Sequence, residues 1–340
     1  MPDLNTLISD MLRHLPREQH GTTLCFMAEH FAHEEQFEEA LVCFERSLAI
    51  DARSVRALCG RGRSLTELGE WEEALRCYDA AIELDPRLGL PHVSKGAVLE
   101  LQGRFDEARG CYEAAARMTP DEPRIWVDLG RVFDETGQAA RAVECFDQAL
   151  GLKPEDPQAW SHRGHSLAKL GRYDEALASF DEAIDCDPAS AQAWRHKAAT
   201  LVRLESFERA VQCFQRAVEL APEDPAPLCE FARCLSQRGR VREALSLYDR
   251  ALALAPSYPF ILTDKAETLC LLRRYEESLP FFERAIESAP WLPKPWFGKG
   301  QALAQLGRRE EAAPCLEKFL TLAPPDAPAR AQVARLLREA

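Results

Sequence analysis

The chain has 340 residues and a formal charge of −13. That acidity repels phosphate backbones and argues against general nucleic-acid binding. No apolar run approaches the roughly 18 residues a membrane span needs. Asp3 and Asp10, around a short apolar stretch with no basic lead-in, make a poor secretory signal, so a cytoplasmic location is expected.

Residues 1–20 open with a helical stripe of Leu4, Leu7, Ile8, Met11, Leu12 and Leu15 before Pro16. The stripe lies outside the register that follows. It reads as a cap on the first unit, or as a detachable docking or dimerisation helix. From residue 21 to 326 a 34-residue unit recurs nine times without insertion, opening at Gly21, Val55, Gly89, Pro123, Pro157, Ala191, Pro225, Pro259 and Pro293. A fixed period in this range marks a stacked-repeat protein and leaves almost no room for a separate catalytic domain. Numbered within the unit, position 8 is Gly or Ala and position 20 is Ala in every unit but the eighth, which has Ser278. Position 24 is aromatic until Leu316 in the ninth unit, and position 32 is Pro except for Ala52.

Each column has a physical role. Apolar residues at 4, 7, 8 and 11 form one face of a first helix, and those at 20, 21, 24, 27 and 28 one face of a second. Small residues at 8 and 20 let the two backbones approach, and the aromatic at 24 fills the space they leave. Gly at 15 stops the first helix, an acidic pair at 18 and 19 favours the start of the second, and Pro at 32 ends it. Pro280 and Pro314 fall at position 22, and each removes one backbone donor and should loosen or kink the first turn of its second helix in the last two units. In residues 327–340, Val333, Ala334 and Leu337 occupy positions 7, 8 and 11 of a tenth first helix, with Arg330, Arg335, Arg338 and Glu339 wetting its other faces. This segment is expected to cap the stack, whose units cannot bury their apolar faces alone.

Small, aromatic and Pro columns at this spacing, as in Trp160, Gly164, Leu167, Gly171, Tyr173, Ala176, Phe180, Ala183 and Pro188, resemble the tetratricopeptide repeat. The resemblance implies an all-α, right-handed α-solenoid superhelix of helix–turn–helix units. It also implies a concave groove faced by positions 2, 5, 6, 9, 12 and 13.

Twelve cysteines suggest a disulfide framework until they are placed in register. Cys43, Cys77, Cys111, Cys145, Cys213 and Cys315 share position 23, and Cys25, Cys59 and Cys229 share position 5. Equivalent positions in stacked hairpins lie about 8–10 Å apart, beyond the roughly 4.4–6.8 Å between Cα atoms that a disulfide requires. These columns read as packing positions in a reducing compartment. The chain has no phosphate-cradling Gly-rich loop, no Gly-x-Ser-x-Gly elbow, no His-Glu-x-x-His pair and no Cys-x-x-Cys pair. Most carboxylates fall on solvated outer faces, and Trp126, Trp160, Trp194 and Trp296 share framework position 4. No enzyme and no cofactor are expected.

The groove is the candidate site. Formal charge at its six columns sums to zero over nine units, so the acidity lies elsewhere. Lys169, Arg195, Arg203 and Arg233 make its middle the most positive stretch, opposed in those units by Glu230 alone. Arg131 and Arg124 approach from the preceding unit, partly cancelled by Asp128, Asp134 and Glu135. His162, His165 and His196 fall in the same stretch and read as polar lining, with a metal site as the alternative. Guanidinium forks suit carboxylates, so the expected partner is a protein or peptide presenting an acidic segment or a terminal carboxylate; the alternative is pairing between neighbouring first helices. Phe260, Leu271 and Phe297 place apolar side chains on groove columns of the last two units, a candidate hydrophobic contact for a partner, a neighbouring subunit or the chain's own tail.

The Lys and Asn pairs with which tetratricopeptide co-chaperones grip acidic tails are absent at positions 5, 6 and 9, as is an asparagine ladder. The expected function is a non-catalytic protein–protein interaction scaffold. The alternatives are a chaperone-like or regulatory peptide-binding module and a groove RNA binder. Partner identity and oligomeric state are open from sequence.

Overall fold

The computed structural model describes Ile8 and residues 12–339. Among them every regular element is a helix. The helices alternate along the chain as nine helix–turn–helix pairs, and the 34-residue register fixes their ends. In repeats 2–9 the first helix spans positions 1–13, as in Val55–Glu67 and Pro157–Lys169. The second helix spans positions 17–30 throughout, as in Phe37–Ile50, Trp71–Leu84 and Tyr173–Cys186. The first helix of repeat 1 begins earlier, Arg17–His33, and ends in register.

The chain divides into two compact units, Met1–Arg172 and Tyr173–Ala340. Within each, successive hairpins pack on one another. The small column at position 8 brings the first helix onto the aromatic at position 24 of its own repeat. A Cβ added at Gly130 would stand 2.6 Å from the Phe146 ring. The aromatics Phe44, Tyr78, Tyr112, Phe146, Phe180, Phe214, Tyr248 and Phe282 are buried, as is the alanine column at position 20.

The turn between the helices repeats in backbone conformation more faithfully than in sequence. Position 15 is left-handed in all nine turns: six carry glycine, while Glu35, Glu205 and Arg273 hold φ of 59°, 57° and 57°. The position-16 N–H returns to the position-11 carbonyl, as from Gln36 to Phe31 at 2.8 Å and from Arg274 to Leu269 at 3.1 Å. This 6→1 closure satisfies a carbonyl the helix end would otherwise leave open. At the other end of the repeat, Ser54, Asp156, Ser190 and Asp224 cap the following first helix through their side-chain oxygens.

Three expectations change. Position 7 is basic more often than apolar, and its cations bind the acid at position 25 of the preceding repeat. Lys95–Asp79 and Lys265–Asp249 at 2.5 Å, Arg163–Asp147 at 2.6 Å, Lys299–Glu283 at 2.9 Å and the pair Lys197–Asp181 all obey this rule. Arg61 reaches Glu45 at 3.5 Å in the same way. Where position 7 is Phe231, its ring stacks on Phe214 at 5.7 Å instead. The position-7 residue sits at the seam between repeats, so a long side chain can bury its stem and bring its charge to the exposed acid. Second, Pro280 and Pro314 do not interrupt their helices, Tyr275–Ser288 and Arg309–Leu322, which keep the usual span. Each removes one donor from a helix held by packing along its length. Third, Arg330 is partly buried rather than fully on a wetted face: its guanidinium donates to the carbonyls of Leu320 and Ala323 at 2.8 and 3.0 Å.

The position-4 tryptophans have a second role besides packing. Trp126, Trp160, Trp194 and Trp296 each donate the indole N–H to the carbonyl of the preceding repeat's position-32 proline, at 2.8, 2.8, 3.2 and 3.0 Å. The C-terminal helix Ala329–Glu339 packs on the last repeat through buried Val333 and partly buried Leu336 and Leu337. Ile8 is buried against Leu24, Cys25 and Ala28, with Leu12 partly buried beside them; Leu4, Leu7 and Met11 lie outside the described residues. All twelve cysteines are free, and burial pushes the thiols of Cys43 and Cys59 up to about 11.

Candidate functional site on the first helices

The groove columns lie on the first helices, and their charges are organised by pairing from one first helix to the next. In the first unit, Glu29 takes a bidentate grip from Arg56 at 2.7 and 2.6 Å, which holds its carboxyl below the usual range. Arg131 bonds Glu100 at 2.6 Å and Asp128 at 3.3 Å, and Glu100 also accepts from the buried Tyr112 hydroxyl at 2.6 Å. Asp134 accepts from Lys169 at 2.9 Å and Ser166 at 3.0 Å, with His165 Nε2 3.8 Å away.

His162 does not join that cluster. Its imidazole lies over the Phe146 ring, and burial, reinforced by nearby Arg131, holds its pKa below the ordinary value.

In the second unit, Arg195 bonds Glu230 at 2.5 Å and lies 3.0 Å from His196 Nε2; His196 is tilted against Phe180. Arg233 binds Asp264 through two nitrogens at 3.1 and 2.7 Å, and Lys294 bridges Asp264 and Glu267 at 2.9 Å each. Burial raises the carboxyl of Glu267 despite that lysine. Arg203 is exposed and makes no ion pair among the described residues.

The open run of cations read from the sequence is therefore modified. Arg131, Lys169, Arg195 and Arg233 are each spent in part on a carboxylate of an adjacent first helix, at sequence separations of 31 or 35 residues. Such pairs join residues that sit side by side only once the hairpins stack. Each arginine keeps donors in reserve: Arg233 uses Nε and Nη2, and Arg131 uses both Nη atoms but not Nε. Among the described residues, no set of three His, Cys, Asp or Glu side chains converges to hold a metal.

The apolar candidates separate. Phe260 and Leu271 are 50% and 64% exposed. Phe297 is not a free contact: its ring packs on Phe319 at 5.1 Å, within the cluster that Val333 of the C-terminal helix completes. A cleft of the second unit, about 1050 Å³, joins Leu271 to the Arg233–Asp264–Lys294 network and to Gln301, Gln305 and Gln332. Three exposed apolar residues at groove columns of the first unit, Phe26, Leu90 and Leu101, were not singled out from sequence. Their positions, 6, 2 and 13, would have identified them by the same rule that identified Phe260 and Leu271.

Residues 91–289, more than half of the chain, match the family model described as the C-terminal domain of cilia and flagella-associated protein 70. Two tetratricopeptide-repeat models match residues 55–88 and 293–326, the limits of repeats 2 and 9 in the register above. No curated protein matches the chain. Among solved structures it is similar to the hetero-tetramer Cut9-Hcn1 of the APC/C (TM-score 0.59, 13% identity, 94% of this chain and 76% of that one). It is also similar to a tetratricopeptide repeat protein from Parabacteroides merdae (0.57, 15%, 74% and 97%) and to yeast Tom70 (0.51, 15%, 95% and 96%). At these identities the likeness concerns the fold. The register, the left-handed turns and the family models agree, and the chain belongs to the tetratricopeptide repeat family.

Proposed function

We propose that the protein is a non-catalytic interaction scaffold whose first-helix faces hold a segment of a partner polypeptide. The observation that carries this reading is the contrast between columns. Positions 8, 20 and 24 repeat because packing consumes them, whereas positions 2, 9, 12 and 13 change from repeat to repeat and keep polar, charged and apolar groups at least partly exposed; positions 5 and 6 vary too, but are buried in some repeats, as at Cys25, Val127, Ser161, Thr263 and Asp264. A fold whose recurring residues serve only to stack units leaves its variable face for recognition.

The partner segment is acidic or ends in a carboxylate. In the second unit Arg203, exposed and without an ion pair among the described residues, supports this, as do the donors left over on Arg195 and Arg233, with His196 on the same face; in the first unit the donors left over on Arg131 do so, with Lys169, His162 and His165. A guanidinium already bonded to one carboxylate is fixed in orientation and can accept a second through its remaining N–H groups. The test is affinity capture from native lysate with wild type and with the Arg195→Glu/Arg203→Glu variant. Loss of the captured partner with an unchanged helical signal is expected; equal capture by both proteins would remove these residues from the site.

A further inference from the structure

Position 6 decides how deep the first-helix face is at each repeat. In repeats 5 and 6 it carries His162 and His196, which lie against the aromatic ring of the preceding repeat. In repeat 2 it is Gly60, and a Cβ there would stand 2.2 Å from Phe44 Cζ. The Phe44 ring is therefore seated directly against the helix, and no side chain rises above it. A hollow of about 430 Å³ results, lined by Arg56, Cys59, Gly60, Arg63, Leu88 and Leu90 among others. That volume lies at the lower end of the roughly 300–1000 Å³ of small-ligand sites and suits an anchor of one or two residues.

Two properties define what it would take. The first is apolar: Leu90 is 68% exposed, Leu88 is exposed beside it, and Phe26, a groove residue of the neighbouring repeat, is 58% exposed with Arg56 4.2 Å over its ring. The second is charge. Arg56 is neutralised by Glu29, whereas Arg63 is exposed and has no ion-pair partner among the described residues, so the charged side chains lining the hollow carry a net +1.

We propose that this hollow docks a partner segment in which a leucine- or phenylalanine-sized side chain adjoins a carboxylate. The side chain rests on Leu88 and Leu90 above Gly60, and the carboxylate meets the Arg63 fork. The inference rests on the reading of the chain as an interaction scaffold but assigns a site separate from Arg195 and Arg203.

The experiment selects random linear heptapeptides, displayed on phage, against the full chain. Enriched peptides are then titrated onto wild type, Arg63→Glu, Leu90→Asp and Arg195→Glu/Arg203→Glu. Arg63 and Leu90 are both exposed, so neither substitution disturbs the core, and far-UV circular dichroism checks this for each. The expected result is a consensus pairing an apolar residue with Asp, Glu or the C-terminus. Binding should weaken at least tenfold in each of the Arg63→Glu and Leu90→Asp variants, and by more in each of them than in the double variant. Peptides that lose affinity only in the double variant would overturn the hollow and leave the scaffold reading standing. Failure to enrich any peptide would count against both.

Discussion

His162 lies nearly parallel to Phe146, with ring centroids 5.6 Å apart and planes 15° from coplanar. The imidazole is a half-buried packing element between consecutive repeats. Burial is the first cause of its lowered pKa, and Arg131 and His165 add to it. The sign of the pH effect follows. Above the ordinary value of 6.5 the ring is neutral in both folded and unfolded chains. As pH falls below that value the unfolded chain binds the proton first, so stability decreases with acidity. Urea unfolding at pH 7.5 and 5.5 should show this loss, and His162→Phe should reduce it. An imidazole titrating at or above 6.5 by NMR would contradict the placement.

The three non-glycine turns carry a backbone cost. Glu35, Glu205 and Arg273 hold the left-handed conformation in which an ordinary L-residue loses about 1–2 kcal/mol. Replacing each by glycine removes that strain and returns part of it as unfolded-state entropy, for a net gain of about 0.5–1 kcal/mol per site. Thermal melts of the three single variants measure it. The converse change, Gly171→Ala at φ +76°, should destabilise.

Close approach predicts the opposite of a tolerated substitution at Gly130. Its added methyl would meet the Phe146 ring, which is fully buried and cannot swing away. Gly130→Ala should cost about 1–3 kcal/mol by overpacking, read from denaturant midpoints. Gly69→Ala, in open space but at φ +80°, separates crowding from backbone strain.

The seam pairs can be weighed by a cycle. Lys265 is largely buried along its stem and Asp249 is exposed. Lys265→Ala, Asp249→Ala and the double variant should give a coupling of about 0.2–1 kcal/mol, reduced at high salt. Coupling near zero would reduce position 7 to packing of its aliphatic stem.

Local chemistry at fixed spacing was legible in the sequence: helix limits, the position-8 to position-24 contact and the turn at position 15. Pairing between repeats was less so. Treating position 7 as an apolar column hid Arg61, Lys95, Arg163, Lys197, Lys265 and Lys299, although the opposite charge sixteen residues upstream was present each time. Summing groove charges gave zero correctly but could not show that Arg131 meets Glu100 while Arg203 has no ion pair among the described residues. That depends on which side chains stacking brings side by side. Which of a partner, a neighbouring subunit or the chain's own tail meets Phe297 was open from sequence, because the C-terminal helix joins its cluster only in three dimensions.

The first-helix face as the contact surface can be tested most directly by photo-cross-linking to a captured partner. A cross-linking amino acid at Ala199, a groove column of the sixth first helix, is compared with one at exposed Glu182, on the second helix of repeat 5. Covalent adducts are expected from Ala199 and few from Glu182. Adducts from Glu182 with none from Ala199 would contradict that assignment of the contact surface.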